Sequence, residues 1–471
     1  NFATDSDWTK EGAWTISGGV ASVISSTNDR LYQSISLEAD KKYLLSINVV
    51  SISAASVRFR FGSNGSAANL PEITTPGIHT FTSKPLGGTS SVGIFAVSGT
   101  TATIDSVSVV EVTDADFDFT RTSSATRVNP DYLIETVATD IPRLDYTNGT
   151  ASILLEPAST NLINYSQAIS NTPVKNGTFV DNAAISPDGT LNATKLTATT
   201  TDPFFYQNIT FAAATYTSSI YVKGIGDSIG KEFRIAISSS TTAPKLIVPS
   251  EWTRFEFTAT VGAGTASTGI EITDPAIVGD EVLVWGWQVE QQSYATSYIP
   301  SLSGSTVTRA AETLNNAGNS DLINSTEGVL YAEISALSDD LTFRTITLSD
   351  GTTSNNVGFG YRNNSNVIYT FLQGVINSSS AVTVSNITDF NKVAIKYKSG
   401  DYAMWINGVE VYTNTTSFTL NGLSEVSFDN GSGAADFYGK CKTVAVFSEA
   451  LSDTELACLT STNNREIFLN Y

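Results

Sequence analysis

The chain is poor in the residues from which many catalytic and metal-binding centres are built. Its 471 residues include two cysteines, one histidine and one methionine. A Ser-His-Asp or Cys-His centre would have to use His79, and a histidine-based metal site is excluded for a single chain. Cys441 and Cys458 are too few for a scaffold held by disulfides, so we expect free, buried thiols.

Positive charge and long apolar runs are scarce too. Lys and Arg number 26 against 46 Asp and Glu, which gives a net charge of −20. Nucleic acid and anionic membranes repel so acidic a chain. No apolar run reaches the roughly 18 residues of a membrane-spanning helix, so no membrane insertion is predicted. We expect no signal peptide from the first residues, and Asn1 in place of Met fits a natural, a processed or a trimmed terminus.

Strand-forming and turn-forming residues dominate instead. Thr, Ser, Val, Ile, Tyr and Phe alternate with Gly, Asn, Asp and Pro, which recur about every 8 to 12 residues, a spacing typical of β-sandwiches. At roughly 150 residues per domain, the length suggests about three domains. We therefore predict an all-β chain of tandem β-sandwiches: a sandwich at 1–112, an irregular connector with short strands at 113–155, a second sandwich at 156–314, and a third at 315–471 with a short C-terminal tail.

The first predicted sandwich carries three recurring sequence patterns. They are W-T-I-S-G-G-V-A at 14–21, L-x-Q-x-I-x-L at 31–37 and I-D-x-V-S-V at 104–109. This order resembles the jelly-roll carbohydrate-binding modules of glycosidases and phage fibres, and the second sandwich looks like a diverged copy. The resemblance implies glycan binding on exposed aromatic residues. The residues themselves also fit another interpretation, in which Trp8 and Trp14 pack in the core or at an edge.

Two stretches, 119–162 and 281–312, join the predicted domains. The first mixes short strands with charges expected to form structural ion pairs rather than a catalytic site: Arg121, Arg127 and Arg143 with Asp118, Glu135, Asp145 and Glu156. The second begins with a continuous apolar run at 282–287, typical of a buried strand, and its β-unit ends at Pro300, which cannot donate to a ladder.

Both stretches resemble segments of tailed-phage virion proteins. The second carries W-G-x-Q-x-E at 285–290, T-S-Y-I-P at 296–300 and T-R-A-A-E at 308–312. The resemblance implies a head or tail fibre on the virion surface, an extracellular location, other virion proteins as partners, and a homotrimer, which is the usual state of such fibres.

The third predicted sandwich reads W-I-N-G-V-E-V at 405–411 and ends in V-A-V-F-x-x-A-L-S-D-x-E-L. This pattern resembles laminin-G-like and concanavalin-A-like lectin domains, which specifies a fold but not a ligand. Asn407-Gly408 predicts a hairpin turn. Ser452 and Glu455 form the spacing of a helix capping box.

Glycan binding needs aromatic faces for sugar C–H surfaces and polar groups for hydroxyls. In the third sandwich, residues on neighbouring strands are candidates to line a concave sheet: Tyr361, Arg362, Asn363, Tyr369 and Trp405. An alternative places Trp405 in the sandwich core.

A calcium ion is the one cofactor that the sequence suggests. Asp429 and Asn430, followed by glycine, lie near Asp436 and offer oxygen ligands. The same D-N-G pattern also forms an ordinary turn.

The sequence shows no paired carboxylates of the E-x-D-x-x-E kind that lectin-like glucanases use, since Glu333 and Glu425 stand alone on their strands. We therefore predict a non-enzymatic protein of the virion surface that adheres to host cell-surface or environmental polysaccharide. The alternatives are a polysaccharide depolymerase, either glycosidase or lyase, with accessory binding modules, and a secreted bacterial lectin.

Overall fold

The chain forms two compact units. One comprises Asn1–Ala115, Asn407–Val409 and Ser452–Tyr471, and the other Asp116–Ile406 and Glu410–Leu451. Asn1 and the predicted tail after residue 461 lie outside the part that the structure describes. In this computed structural model, the described residues are 2, 6–35, 37–38, 41–61, 70–85, 91–112, 115–238, 244–272, 277–373, 376 and 380–461.

The first unit contains an antiparallel sandwich. A four-stranded sheet of order β1-β4-β8-β6 and a five-stranded sheet of order β2-β3-β9-β5-β7 enclose a core in which Trp8 and Trp14 are buried. Both tryptophans therefore pack inside, as the alternative interpretation held. The strands β1 to β9 are Thr9–Glu11, Thr15–Ser17, Val20–Ile24, Asp29–Gln33, Lys42–Ser53, Val57–Phe61, Gly77–Ser83, Val92–Ala96 and Thr101–Val112.

The second unit begins with short strands that pair far along the chain. β10 pairs with β27, β15 with β26, and β11 with β12 in two-stranded ladders, while β13 and β14 join a larger sheet. The strands β10 to β15 are Asp118–Thr120, Ala125–Val128, Ile134–Val137, Leu144–Asp145, Ser152–Leu155 and Ser159–Asn161.

A second sandwich follows within the same unit. Its two five-stranded sheets have the orders β16-β19-β24-β21-β22 and β17-β18-β25-β20-β23, and a second core lies between them. The apolar run at 282–287 forms part of β25 and is buried, as predicted. The strands β16 to β25 are Val174–Asn176, Thr178–Ile185, Leu191–Thr197, Phe204–Phe211, Ala214–Ile225, Glu232–Ala236, Leu246–Ile247, Thr253–Val261, Gly264–Ile272 and Glu281–Glu290, with 3-10 turns at Ile169–Asn171 and Gly226–Ser228.

A third sandwich packs a seven-stranded sheet, β13-β14-β37-β28-β33-β34-β35, against a five-stranded sheet, β32-β31-β30-β29-β36. The strands β26 to β37 are Val307–Arg309, Thr313–Asn315, Glu327–Ala336, Arg344–Ser349, Asn356–Tyr361, Val367–Leu372, Val382–Thr383, Asn391–Lys398, Tyr402–Ile406, Val409–Asn414, Glu425–Ser427 and Gly439–Phe447.

The predicted all-β class with tandem sandwiches is confirmed. The domain boundaries stay a prediction. Within the connector at 113–155, β14 pairs directly with β37, so part of that segment extends the sheet of the third sandwich. No helix in the described part of the chain has the length and apolar character needed to cross a membrane.

Local signals read from the sequence also appear in the structure. Asn407 and Gly408 have φ of 51° and 88°, which a type I′ hairpin turn requires at both central positions. The helix α1, Asp453–Thr460, begins with the predicted capping box, in which the Glu455 amide donates to Ser452 Oγ and the Ser452 amide donates to Glu455 Oε2. Both cysteines are free thiols; Cys441 is buried, which raises its pKa to about 12, and Cys458 is half-buried.

A buried ion network joins the stretches 119–162 and 281–312. We define it as Arg121, Arg143, Arg309, Glu156 and Glu312, and each of these side chains is at most 3% exposed. Arg121 Nη1 lies 2.7 Å from Glu312 Oε1, and Arg143 also pairs with Glu312. Glu156 Oε2 lies 2.9 Å from Arg143 Nη2 and 2.8 Å from Arg309 Nη1. The two carboxylates thus link all three guanidinium groups.

Glu290 supplies a third buried carboxylate beside the buried ion network. It accepts hydrogen bonds from Ser159 Oγ at 2.6 Å and from the Thr296 amide at 2.8 Å. Thr296 Oγ1, which donates to Glu290, accepts a hydrogen bond from Arg309 at 3.1 Å. Three positive and three negative side chains therefore lie close together, which offsets their desolvation.

The prediction of structural ion pairs in 119–162 is confirmed for two pairs, whereas three predicted members have other partners. Arg121 pairs with Glu312, which lies outside that stretch. Arg127 Nε donates to Glu135 Oε1 at 2.6 Å, and Arg143 pairs with Glu156. Asp145 pairs instead with Lys440 at 2.9 Å, because β14 lies beside β37. Asp118 accepts a hydrogen bond from Asn316 at 3.0 Å, because β10 pairs with β27 next to that residue.

We predict that Glu312→Gln strongly destabilises the second unit. Removing one charge leaves Arg121 and Arg143 buried with incomplete compensation, and breaking a buried pair costs about 3–5 kcal/mol. Chemical denaturation measures the loss in free energy of unfolding. The matched control is Glu251→Gln, whose carboxylate is 82% exposed and pairs with Lys223 at 2.9 Å. This control should cost about 0–1 kcal/mol, and equal losses in both variants would contradict the prediction.

The buried ion network also predicts acid sensitivity. Burial by itself would raise the pKa of Glu156, but Arg309, Arg143 and two hydrogen bonds from Ser297 lower it to about 2. A carboxyl whose pKa is lower in the folded state stabilises the fold above its unfolded pKa of 4.5. That contribution is lost as the pH falls from 4.5 towards 2. The melting temperature should therefore fall across this window, and less steeply in Glu156→Gln. Parallel curves for the two proteins would refute this assignment.

Candidate functional site

The five-stranded sheet of the third sandwich has one face in the core and one face turned outward. Side chains alternate along a strand. On β30, Phe359 and Tyr361 point into the core, as Ile368 does on β31. Tyr369 and Phe371 therefore lie on the outward face of β31, where both are half-buried.

The loop at 429–435 covers the outward face along β29 and at the start of β30. Thr347 Oγ1 donates to the Asp429 carbonyl at 2.6 Å, and Asn356 Nδ2 donates to the Asn430 carbonyl at 3.1 Å. The Thr345 amide donates to the Ala435 carbonyl at 3.0 Å. These contacts bury outward-facing residues of β29 and the first residue of β30. All of β30 is buried, so Tyr369 and Phe371 on β31 form the open part of the face.

Two glycines let aromatic rings pack on the open part. Gly360 is the cross-strand partner of Tyr369, and Gly358 is the partner of Phe371. A Cβ on Gly358 would lie 2.7 Å from the ring of Phe371, and a Cβ on Gly360 would lie 1.8 Å from the Arg344 carbonyl oxygen. The missing side chain at Gly358 leaves room for the Phe371 ring to cover the strand, while at Gly360 it avoids a clash with the backbone of β29.

An aromatic–arginine face results, which we define as Phe343, Arg362, Tyr369 and Phe371. The Arg362 guanidinium carbon lies 5.5 Å from the Tyr369 ring centroid and 5.9 Å from that of Phe343. The ring of Tyr369 lies 6.0 Å from that of Phe343 and 5.7 Å from that of Phe371. Phe343 is 42% exposed. The four side chains thus form one continuous surface with a positive charge packed among rings.

A hydrogen bond anchors the loop that carries Phe343. Asp339 Oδ2 accepts from the Asn366 amide at 3.1 Å, next to the start of β31. The loop at 337–343 is thereby tied to the strand that presents Tyr369. Phe343 consequently has a defined position above the sheet.

The aromatic–arginine face combines apolar surface with hydrogen-bonding groups. Burial raises the pKa of Tyr369 to about 12, and the charge of Arg362 opposes this shift only in part. The hydroxyl therefore stays protonated at neutral pH and can both donate and accept. Aromatic rings beside such donors suit a ligand that has C–H faces and hydroxyl groups.

The structure brings two of the five predicted site residues into contact. Arg362 and Tyr369 are in contact, and the exposed Asn363 follows Arg362. Tyr361 is a correction: it is 1% exposed and packs 5.8 Å from the Phe437 ring, because alternation turns it to the core. Trp405 is a second correction, since it lies on β34 in the opposite sheet and is 7% exposed.

Neither of the two placements considered for Trp405 matches the structure. Its strand neighbours Met404 and Ile406 belong to the core of the third sandwich. Alternation therefore places Trp405 on the other face of the seven-stranded sheet, where Ala394 is its cross-strand partner. It takes no part in the aromatic–arginine face.

Sequence reasoning missed Phe343 and Phe371. Phe371 lies two positions after Tyr369, so period-two alternation alone would have found it. Phe343 lies in a loop, where no periodicity indicates its direction. Its place beside Arg362 depends on the anchoring of that loop.

The predicted calcium ligands are engaged within the chain itself. Asp429 Oδ1 accepts from the Gly431 amide at 2.6 Å, and its Oδ2 accepts from Asn315 at 2.9 Å. Asn430 Oδ1 accepts from the Ser432 amide at 3.0 Å, and Asp436 accepts from the Tyr438 hydroxyl at 3.0 Å. No group of three or more His, Cys, Asp or Glu side chains among the described residues is arranged to hold a metal ion. Calcium binding gains no support from this arrangement.

Comparison with known proteins shows likeness only to solved structures. No protein-family model matches the chain, and no curated protein does. The chain is similar to domain 4 of AbnA, a GH43 extracellular arabinanase from Geobacillus stearothermophilus, solved with arabinotriose: identity is 12%, coverage 32% of this chain and 73% of that one, and the TM-score 0.25.

Two further structures span more of the chain. The N-terminal CBM22 tandem domain of Xyn10C from Paenibacillus barcinonensis is 12% identical, covers 61% of this chain and 94% of its own, and has a TM-score of 0.19. A fucolectin from striped bass serum, Morone saxatilis, is 14% identical, with coverages of 60% and 86% and a TM-score of 0.16. With TM-scores this low, these likenesses carry no argument about the ligand of this chain.

We predict that Gly360→Ala disturbs the aromatic–arginine face. The new Cβ would overlap the Arg344 carbonyl oxygen, and such overpacking typically costs about 1–3 kcal/mol. Thermal unfolding measures the loss, and near-ultraviolet circular dichroism reports the change in packing of the aromatic rings. The matched control is Gly262→Ala, since a Cβ on Gly262 meets no atom within 4 Å and its φ is not left-handed. If both variants unfold at the wild-type temperature, the packing argument fails.

Proposed function

We propose that the chain is a non-enzymatic adhesin that binds glycans through the aromatic–arginine face, and that it is part of the surface of a tailed-phage virion. The observation that carries glycan binding is the row of rings at Phe343, Tyr369 and Phe371, with the Arg362 guanidinium packed among them. Rings offer a stacking surface for sugar C–H groups, while the guanidinium and the Tyr369 hydroxyl bond to sugar hydroxyls.

The virion part of the proposal is supported by the two stretches that resemble tailed-phage virion proteins. These stretches supply all members of the buried ion network, so the resemblance covers residues that depend on one another in the fold. The partners proposed with it are host cell-surface or environmental polysaccharide and other virion proteins. A homotrimer is part of the same proposal.

We predict that Phe343→Ala and Tyr369→Ala each weaken glycan binding two- to tenfold, the loss expected for one aromatic contact of about 0.5–1.5 kcal/mol. A glycan array with the full chain identifies the ligand, and calorimetric titration measures the affinity. The matched control is Tyr132→Asn: Tyr132 is 65% exposed with φ of 61°, a conformation that Asn tolerates. Unchanged affinity in the first two variants would remove the aromatic–arginine face from the proposal.

The products formed when the ligand is incubated with the chain test whether the chain is an enzyme. Incubation of the ligand with the chain should release neither reducing ends nor unsaturated products. Turnover would replace this proposal with the depolymerase alternative.

An antibody against the chain should label intact phage particles in electron micrographs of the virion, and unlabelled particles would contradict the virion assignment.

A further inference from the structure

The four-stranded sheet of the first unit carries a row of arginines on its outward face. In the ladder, Arg30 lies beside Phe95, and Phe95 lies beside Arg58. The Arg58 guanidinium carbon is 5.0 Å from the Phe95 ring centroid. The neighbouring Leu31 and Ile94 point to the opposite side, into the core. The arginines are therefore held outside the core against an aromatic ring.

A second row lies directly beside the first. Gly93 separates Tyr32 from Arg60 across the ladder. A Cβ on Gly93 would lie 2.3 Å from the Leu31 carbonyl oxygen and 2.5 Å from the Tyr32 Cβ, so no side chain fits there. The result is a shallow depression lined by Arg30, Tyr32, Arg60, Gly93 and Phe95. We call this depression with Arg58 the arginine face.

The positive charge of the arginine face is only partly compensated. Arg30 Nε pairs with Glu11 at 2.9 Å, and Arg58 Nη1 pairs with Glu72 at 3.6 Å. Arg60 has no carboxylate partner among the described residues, and its Nε is buried without a hydrogen-bond partner. Its guanidinium packs 5.4 Å from the Phe95 ring centroid instead. One guanidinium at this depression therefore lacks an anion.

Partial burial also disfavours the charged form of Arg60. It lowers the pKa of Arg60, and the charges of Arg30 and Arg58 lower it further. An anion at the depression would relieve both effects. Guanidinium groups bind carboxylate and sulfate through two parallel hydrogen bonds, which a neutral hydroxyl cannot match.

We infer that the arginine face is a second glycan site, specific for a sugar that carries an anionic group, either a carboxylate or a sulfate. The inference deepens the proposed function, on which it rests for the class of ligand only. Arg60 holds the anionic group, and Tyr32 borders the sugar ring. The net charge of −20 disfavours nucleic acid, because the rest of the chain repels a long uniform polyanion.

Titration of the full chain with four probes of matched length tests this site. The probes are oligogalacturonate, its methyl ester, a sulfated galactan oligosaccharide, and single-stranded DNA. Binding of the carboxylate probe, the sulfate probe or both supports the inference and tells the two anionic groups apart. The methyl ester should bind at least about tenfold more weakly than oligogalacturonate, because it lacks the charge. Added salt should weaken binding of the charged probes.

Variants separate this site from the aromatic–arginine face. Arg60→Gln and Arg58→Gln should each lower affinity for the charged probe about tenfold, with unchanged thermal unfolding as the check on folding. Lys84→Gln, which removes an exposed charge in the same unit, is the matched control and should bind as the wild type does. If Phe343→Ala and Tyr369→Ala do not weaken glycan binding, that result counts against the proposed function. If Arg60→Gln and Arg58→Gln do not weaken binding of the charged probe, that result counts against this site.

Three results would overturn the inference. One is equal binding of oligogalacturonate and its methyl ester. Another is DNA binding as tight as that of the charged oligosaccharides, since the arginine face would then be a general polyanion surface. The third is wild-type affinity in both folded arginine variants.

Discussion

The second unit depends on placing five charges in its interior at once. Each guanidinium and carboxylate of the buried ion network has lost its water, and each is stable there because its partners lie within hydrogen-bonding distance. Deleting one member leaves the others buried without compensation. This mutual dependence joins residues 119–162 to 281–312, and it ties the short strands of the connector to the two sandwiches of the unit.

Both candidate binding faces contain a strand glycine that lies opposite a bulky residue of the neighbouring strand. Gly360 lies beside Tyr369, and Gly93 lies between Tyr32 and Arg60. A missing side chain lowers the sheet surface at one point, so neighbouring rings and guanidinium groups can pack around it. The two faces differ in charge. The guanidinium of the aromatic–arginine face packs against two rings. In the arginine face, the guanidinium groups of Arg58 and Arg60 pack on one buried phenylalanine, and Arg30 lies beside it in the ladder.

How far the candidate site was predictable is clear from single residues. Arg362 and Tyr369 were predicted to lie together because both are chemically suited to sugars and belong to neighbouring strands, and the structure places them in contact. The placement of Tyr361 at the site was wrong because it considered only the chemical fit of tyrosine to sugars. Strand alternation turns adjacent residues to opposite faces, and it turns Tyr361 to the core. Phe343 was missed because a loop has no period. Trp405 was misplaced because sequence does not show which sheet of a sandwich a strand joins, nor what covers its far side.

The sequence by itself determined the all-β class, the strand alternation, the turn at Asn407-Gly408 and the helix cap at Ser452, because each depends on neighbours within a few residues. It also indicated ion pairs within 119–162, which the structure shows for Arg127 with Glu135 and for Arg143 with Glu156. Only the tertiary structure decided the partners: Asp145 with Lys440, Arg121 with Glu312, and Phe343 with Arg362. These pairings join residues from distant or irregular segments, and the packing of sheets and loops, which no local pattern encodes, sets the distances between them.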